Sequence, residues 1–125
     1  GIWVSRQTVD VFNAKAIQAS MGAVFRVATW TVDLPELVTQ LMESSTGVFG
    51  LDMEGDALWS MEGAPEVGRK WCAIVGSESH GLSEAVRGAC PQKLHIPGAG
   101  GSESLNASMA AGIVLSEWSR RIQML

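Results

Sequence analysis

The sequence contains no run of about 18 consecutive apolar residues, so it predicts no membrane-spanning helix. Its first residues also lack the basic segment followed by an apolar one that marks a secretory signal. The chain opens on an apolar triplet without an initiator Met, and we therefore expect it to be part of a larger protein. Together these absences favour a cytoplasmic location.

Cysteine and histidine are equally scarce. Cys72 and Cys90 have no C-x-x-C spacing, and His80 and His95 are the two histidines. This set is too sparse for a zinc site and too small for a disulfide scaffold, so we predict reduced, buried thiols and no metal. The formal net charge of −4 at pH 7 gives no electrostatic signal for nucleic-acid binding.

What the sequence does contain is typical of one globular domain covering residues 1–125, with 46% hydrophobic and 18% charged residues. Apolar runs predict strands, and segments with helical spacing and capping residues alternate with them. The predicted strands are 1–4, 24–30, 47–51, 71–75 and 94–96, and the predicted helices are 14–20, 33–44, 84–88 and 105–123. Residues 52–69, acidic and rich in glycine, are predicted to form a loop. The clearest strands are apolar throughout, which favours an α/β fold with a mostly parallel sheet flanked by helices.

Two junctions between a strand and a loop carry the residues of chemical interest. The first, residues 74–83, reads IVGSESHGLS. Gly76 would let a flat ligand approach the backbone closely, and Glu78 would hold a carboxylate at the edge of the sheet. The alternative is an ordinary turn with a solvated acid, and spacing alone does not decide between the two.

The second junction, residues 94–108, reads LHIPGAGGSESLNAS. A strand, a glycine-rich loop and a polar helix start form a typical cradle for a small molecule, because the first N–H groups of a helix are free. In the alternative interpretation Ser102 or Ser104 caps the helix, Asn106 is a polar residue of its first turn, and the glycines only fill the loop.

Several better-known motifs are absent. The glycine-rich loop fits neither the G-x-x-x-x-G-K-[ST] pattern of nucleoside-triphosphate sites nor the G-x-G-x-x-G dinucleotide fingerprint, which disfavours an α/β oxidoreductase. Ser79 lies between Glu78 and His80, but no G-x-S-x-G elbow surrounds it. Adjacent residues rarely converge into a catalytic triad, so a serine hydrolase is also disfavoured.

Taken together and in this order, the two junctions resemble motifs two (74–83) and three (96–112) of the SpoU (TrmH) family of RNA 2′-O-ribose methyltransferases, of the SPOUT superfamily. Residues 10–26 resemble the segment that follows the family's first motif. The resemblance implies an α/β domain ending in a trefoil knot, S-adenosylmethionine as cofactor, rRNA or tRNA as substrate, and a homodimer.

The resemblance also implies roles for residues at matching positions. Cofactor-binding residues would be Leu51, Val75, Gly76, Ile96 and Leu105, through backbone groups and apolar walls. Residues tied to catalysis would be Glu78, Ser104 and Asn106. Their work would be to hold the site together and to position ribose and cofactor for methyl transfer.

Two departures from the family pattern leave an alternative open. The first motif carries an Asn and the Arg favoured as base; it is expected upstream of Gly1, and the chain contains no match to it. Gly98 stands where a bulkier apolar residue is common. A non-catalytic knotted module for dimerisation or RNA binding is therefore the alternative function. The basic pairs 69–70 and 120–121 could contact RNA, although a solvated surface is the favoured interpretation.

Overall fold

A computed structural model describes residues 1–59, 70–98 and 105–123, without the side chains of residues 122 and 123. The chain divides into two compact units, Gly1–Leu37 and Val38–Leu125. In the first unit, strand β1 (Ile2–Ser5) pairs in parallel with β2 (Thr29–Val32), and helix α1 (Ala14–Ala19) lies between them in the chain. Asn13 caps α1 by accepting a hydrogen bond from the Ala16 amide at 2.9 Å.

The predicted strand 24–30 is wrong over residues 24–28. Ala23–Phe25 form a short 3₁₀ helix, and β2 begins only at Thr29. The turn starts at Gly22, whose φ of 78° suits glycine, and it is closed by a hydrogen bond from the Arg26 amide to the Ala23 carbonyl oxygen. Local hydrogen bonding thus outweighs the β-propensity of this segment.

Helix α2 (Leu34–Glu43) agrees with the prediction of 33–44. The Asp33 carboxylate accepts a hydrogen bond from the Glu36 amide at 3.1 Å, which satisfies one of the free N–H groups at the helix start. On its inner face Val38 is buried, whereas Leu37 and Leu41 are half-buried.

The second unit contains a three-stranded parallel sheet. Its order is β4 (Trp71–Ile74), β3 (Gly47–Ala57), β5 (Gln92–His95). Helix α3 (Glu84–Ala89) joins β4 to β5, and helix α4 (Ala107–Gln123) follows β5. The predicted α/β class with parallel pairing is confirmed. The prediction that residues 52–69 form a loop is wrong at its start, because β3 continues to Ala57.

The core of this unit lies between the sheet and α4. It consists of Phe49, Leu58, Leu94, Val114 and Trp118, all almost fully buried. The Phe49 and Trp118 rings lie 4.3 Å apart, and the Trp71 ring meets Trp118 edge-on at 4.8 Å. The position of the core beneath the sheet leaves the carboxyl ends of the strands free for a site.

Not every apolar residue in α4 and in the segment just before it is buried. Val114 and Trp118 are buried, but Leu105 and Met109 are 44% and 60% exposed. The helix begins at Ala107 and not at the predicted Leu105. The knot stays a prediction, because residues 99–104, which lead into α4, lie outside the described residues.

Both cysteines are free thiols, as predicted, but only Cys90 is buried and Cys72 is half-buried; burial raises the pKa of each of them. Within residues 1–59, 70–98 and 105–123, no group of three or more His, Cys, Asp or Glu side chains is placed to hold a metal ion. Over the same ranges, no helix is long and apolar enough to cross a membrane.

Candidate functional site

A cavity of about 410 Å³ lies beyond the carboxyl ends of β4 and β5. This is where ligands bind in open parallel sheets, and the volume is within the range of small-molecule sites. The cavity brings together six of the eight residues that the sequence proposes for the site. They are Leu51, Val75, Gly76, Glu78, Ile96 and Leu105.

The loop after β4 has a tight, hydrogen-bonded geometry. The Ser77 amide donates to the Gly81 carbonyl oxygen at 3.0 Å, and the Gly81 amide donates back to Ser77 at 2.8 Å. At Gly76 a Cβ atom would lie 2.0 to 2.3 Å from backbone atoms of Gly81 and Leu82. Glycine is therefore required at position 76 for the loop to fold back on itself, and the fold-back places Glu78 at the rim of the cavity.

Glu78 and Asn106 join the two predicted junctions. The Asn106 side-chain amide donates a hydrogen bond to the Glu78 carboxylate at 2.9 Å, across 28 residues of sequence. The other end of the same side chain, Oδ1, accepts from the Ser108 amide at 3.0 Å and from the Ser108 hydroxyl at 2.6 Å. Asn106 is thus the N-cap of α4 and at the same time fixes Glu78.

This dual role corrects one expectation and leaves another untested. The sequence offered Ser102 or Ser104 as caps and placed Asn106 within the first turn; Asn106 instead precedes the helix and caps it. Ser104, predicted as a catalytic residue, lies outside the described residues. Asn106 therefore has the ordinary capping role and also contacts Glu78.

The apolar side chains that line the cavity differ in how exposed they are. Leu51 and Ile96 are half-buried and pack against the hydrophobic core. Val75 and Leu105 are 37% and 44% exposed. A flat, largely apolar group could rest against these side chains, while the backbone groups near Gly76 offer hydrogen bonds.

Sequence reasoning missed a charged cluster in the cavity wall. Asp52 and Glu54, in β3, both form ion pairs with Arg87 of α3, and all three residues line the cavity. Residues 52–55 were expected to be loop, and a separation of 35 residues between Asp52 and Arg87 leaves no local pattern from which to predict the pair. His95 was also missed; its Nδ1 donates to the Gly55 carbonyl oxygen at 2.7 Å.

The basic pair 120–121 has a structural explanation. Arg120 and Arg121 both bind the Glu117 carboxylate, at 2.8 and 2.7 Å. Arg121 also donates to the Leu58 carbonyl oxygen at 3.3 Å. These contacts hold both guanidinium groups along α4; that the pair is solvated surface and not an RNA contact stays a prediction. Arg69 of the other pair lies outside the described residues.

Comparison with known families matches residues 1–116 to the SpoU rRNA Methylase family. The chain belongs to this family. Because that match covers most of the chain, the resemblance of the two junctions to SpoU motifs two and three is confirmed at the level of the family.

Individual proteins similar to this SpoU-family chain include an uncharacterized tRNA/rRNA methyltransferase of Mycobacterium avium (strain 104), 36% identical over 97% of the chain and 38% of the relative. The SpoU methyltransferase AviRb of Streptomyces viridochromogenes, in complex with AdoMet, is 29% identical, with a TM-score of 0.81 over 97% of this chain and 47% of that one. An RNA 2′-O ribose methyltransferase is 26% identical, with a TM-score of 0.74 over 98% of this chain and 46% of that one. The chain therefore spans less than half the length of these relatives.

Proposed function

We propose that this chain is the cofactor-binding part of an S-adenosylmethionine-dependent methyltransferase that modifies ribose 2′-hydroxyl groups in rRNA or tRNA. The observation that carries the proposal is the hydrogen bond between Asn106 and Glu78, which joins the two SpoU motifs at one cavity. Two of the similar proteins, a SpoU methyltransferase in complex with AdoMet and an RNA 2′-O ribose methyltransferase, support the same chemistry.

The residues of the cavity fit this cofactor. Gly76 lines the cavity, and Leu51, Val75, Ile96 and Leu105 offer apolar walls for an adenine ring. Within the described part of the chain, the cavity lining includes the carboxylates of Asp52, Glu54 and Glu78 and the guanidinium of Arg87. The excess of carboxylates over guanidinium groups among these residues favours a ligand with a net positive charge.

When bound, the cofactor would supply a methyl group on a positively charged sulfur. The work of the chain's own residues is to hold this group and the ribose in line. Glu78, fixed by Asn106, is the carboxylate that lies at the cavity rim, and we assign both residues to positioning the reacting groups. Ser104 belongs to the same predicted set.

Titration calorimetry of this chain with S-adenosylmethionine tests the first half of the proposal, which requires saturable, one-site binding. Transfer of tritium from labelled cofactor to bulk rRNA or tRNA by the full-length protein, followed by nucleoside analysis, tests the second half. Label at ribose 2′ positions is the expected result. Binding without any transfer would favour the alternative, a non-catalytic module, and absence of both would reject the proposal.

We also propose that the chain forms a homodimer, as the family resemblance implies. Sedimentation equilibrium measures this directly, and a mass of one chain at high concentration would contradict it. The cytoplasmic location is a further part of the proposal and stays a prediction from the sequence.

A further inference from the structure

The pairing of strand β3 with β5 is interrupted and then resumes opposite the same residue of β5. Leu51 pairs with Leu94 of β5, and Asp56 pairs with Leu94 again. The four residues between, Asp52–Gly55, form an outward detour that we name the β3 excursion. Asp52, Met53 and Glu54 of this excursion line the cavity, and Met53 is 59% exposed. A wall of the cavity is therefore built from backbone that the regular sheet ladder does not hold.

Arg87 holds the first part of the excursion. Its Nε lies 2.9 Å from Asp52 Oδ2 and its Nη2 lies 3.1 Å from Asp52 Oδ1, so the guanidinium binds the carboxylate through both oxygens. The same Nη2 also donates to Glu54. The Asp52 side chain is only 12% exposed, which shelters this pair from solvent and favours a defined geometry.

The end of the excursion is fixed differently, by close backbone contact. A Cβ atom at Gly55 would lie 2.4 to 2.5 Å from backbone atoms of Lys93 and Leu94, and the Gly55 carbonyl oxygen accepts the hydrogen bond from His95. The far end is thus tied to β5, whereas the segment that faces the cavity depends on Arg87. Without the guanidinium, two carboxylates two residues apart would repel each other, and Asp52 would be a mostly buried charge without a cation.

From this arrangement we propose that Arg87 is a positioning residue for the cofactor, acting through Asp52 and Glu54 to fix the wall of the pocket. The inference rests on the proposed function, because the cavity is taken as the cofactor site. Arg87 need not touch the cofactor in this role. It sets the position of the excursion, and so the width of the cavity next to Leu51.

The test compares cofactor affinity in matched variants of this chain. R87M removes the charge and keeps most of the side-chain length, and D52N weakens the other end of the same pair. We expect each to raise the Kd for S-adenosylmethionine roughly tenfold or more, since hydrogen bonds to charged groups are strong. R87K retains the charge without the planar fork, and an intermediate Kd is expected. The control is R120M, which breaks an exposed Arg–Glu pair outside the cavity and should leave the Kd unchanged.

A second readout separates positioning from general stability. Hydrogen exchange at the amides of residues 53–55 should accelerate in R87M, while exchange in the core strand around Phe49 stays protected. The R87M/D52N double variant should lose less affinity than the product of the two single losses, because both act on one pair. If R87M does not fold, the Kd values of D52N and R87K alone decide whether Arg87 positions the cofactor.

These experiments distinguish failure of the proposed function from failure of the inference about Arg87. If the unsubstituted chain binds no S-adenosylmethionine, the proposed function fails and this inference fails with it. If the unsubstituted chain binds and folded R87M and D52N bind equally well, only the positioning role of Arg87 is overturned.

Discussion

The core beneath the sheet and the rim of the cavity lie in the same unit of the chain, but different interactions hold them. Around Phe49 and Trp118 the contacts are apolar, numerous and without direction. At the rim a few directional bonds, from Asn106 to Glu78 and from Arg87 to Asp52, fix exposed or half-buried groups. We therefore expect core substitutions to act through stability and rim substitutions through binding.

The largest effect is expected from removal of a core ring. Phe49 is 1% exposed, and F49A should lower the free energy of unfolding by about 3 to 5 kcal/mol, as cavity-forming Phe substitutions do. Chemical denaturation followed by tryptophan fluorescence measures the change.

The matched control is another Phe→Ala substitution, F25A. Phe25 is 66% exposed and stacks on Phe12 with ring centroids 6.0 Å apart, so a loss within about 1 kcal/mol is expected. Similar losses in F49A and F25A would contradict the assignment of the core to the second unit.

The second-largest effect is expected at the rim of the cavity, on the affinity for the cofactor. G76A introduces a Cβ where backbone atoms of Gly81 and Leu82 already lie, so the loop must open. We expect the affinity for S-adenosylmethionine to fall more than tenfold, about 1.4 kcal/mol or more, measured by calorimetry.

Gly88, in α3, provides the control for G76A. No heavy atom lies within 4 Å of a Cβ built there, and alanine is the better helix former. G88A should therefore bind as the unsubstituted chain does and gain about 0.5 to 1 kcal/mol of stability. Weak binding by G88A would show that any Gly→Ala change disturbs the site.

A third prediction separates the two roles of Asn106. N106D keeps the oxygen that caps α4 but removes the N–H donor to Glu78 and sets two carboxylates side by side. Cofactor affinity and methyl transfer should fall about tenfold, while helix content by circular dichroism stays the same. The N106D/E78Q double variant exchanges the amide and the carboxylate between the two positions, so a hydrogen bond can form in the opposite direction and cofactor affinity should recover. Recovery of full transfer as well would remove Glu78 from the proposed catalytic set.

The smallest effect concerns acid stability, away from the cavity. Hydrogen bonds from Arg120 and Arg121 lower the pKa of Glu117 from 4.5 to about 2. A depressed carboxyl pKa contributes stability above the unfolded value, and this contribution is lost as the pH falls from 4.5 towards 2. The melting temperature of the unsubstituted chain should exceed that of E117Q at about pH 6, and the two should converge near about pH 2. A difference that stays constant across this range would mean that Glu117 acts by packing and not by charge.

The sequence predicted the order of strands and helices in the second unit because its apolar runs are short and bounded by turn residues. It could not predict that β3 continues past Leu51. The segment from Asp52 to Ala57 is acidic and contains glycine, and the contacts that fix it come from Arg87 and His95, far along the chain. In the first unit Val24 and Phe25 have strand propensity, but a turn starting at Gly22 determines their conformation.

The same limit applies to the candidate site. Glycines and a carboxylate at the ends of apolar strands drew attention to the two junctions, but the resemblance to the SpoU family was needed to single out Gly76, Glu78 and Asn106. The bond between Glu78 and Asn106 required the fold, as did the pairing of Arg87 with Asp52. Local signals therefore indicate which loops form the site, whereas the partners that fix their side chains depend on tertiary structure.

The β3 excursion has a consequence for how this domain can vary. Leu51 and Asp56 both pair with Leu94 of β5. The register between β3 and β5, before and after the excursion, therefore does not depend on how many residues the excursion contains. Insertions or deletions within 52–54 would change the shape of the pocket wall without turning any core side chain towards solvent, which a shift of one residue inside a regular strand would do. The domain thus has a segment whose length can be adapted to a different ligand while the hydrophobic core remains intact.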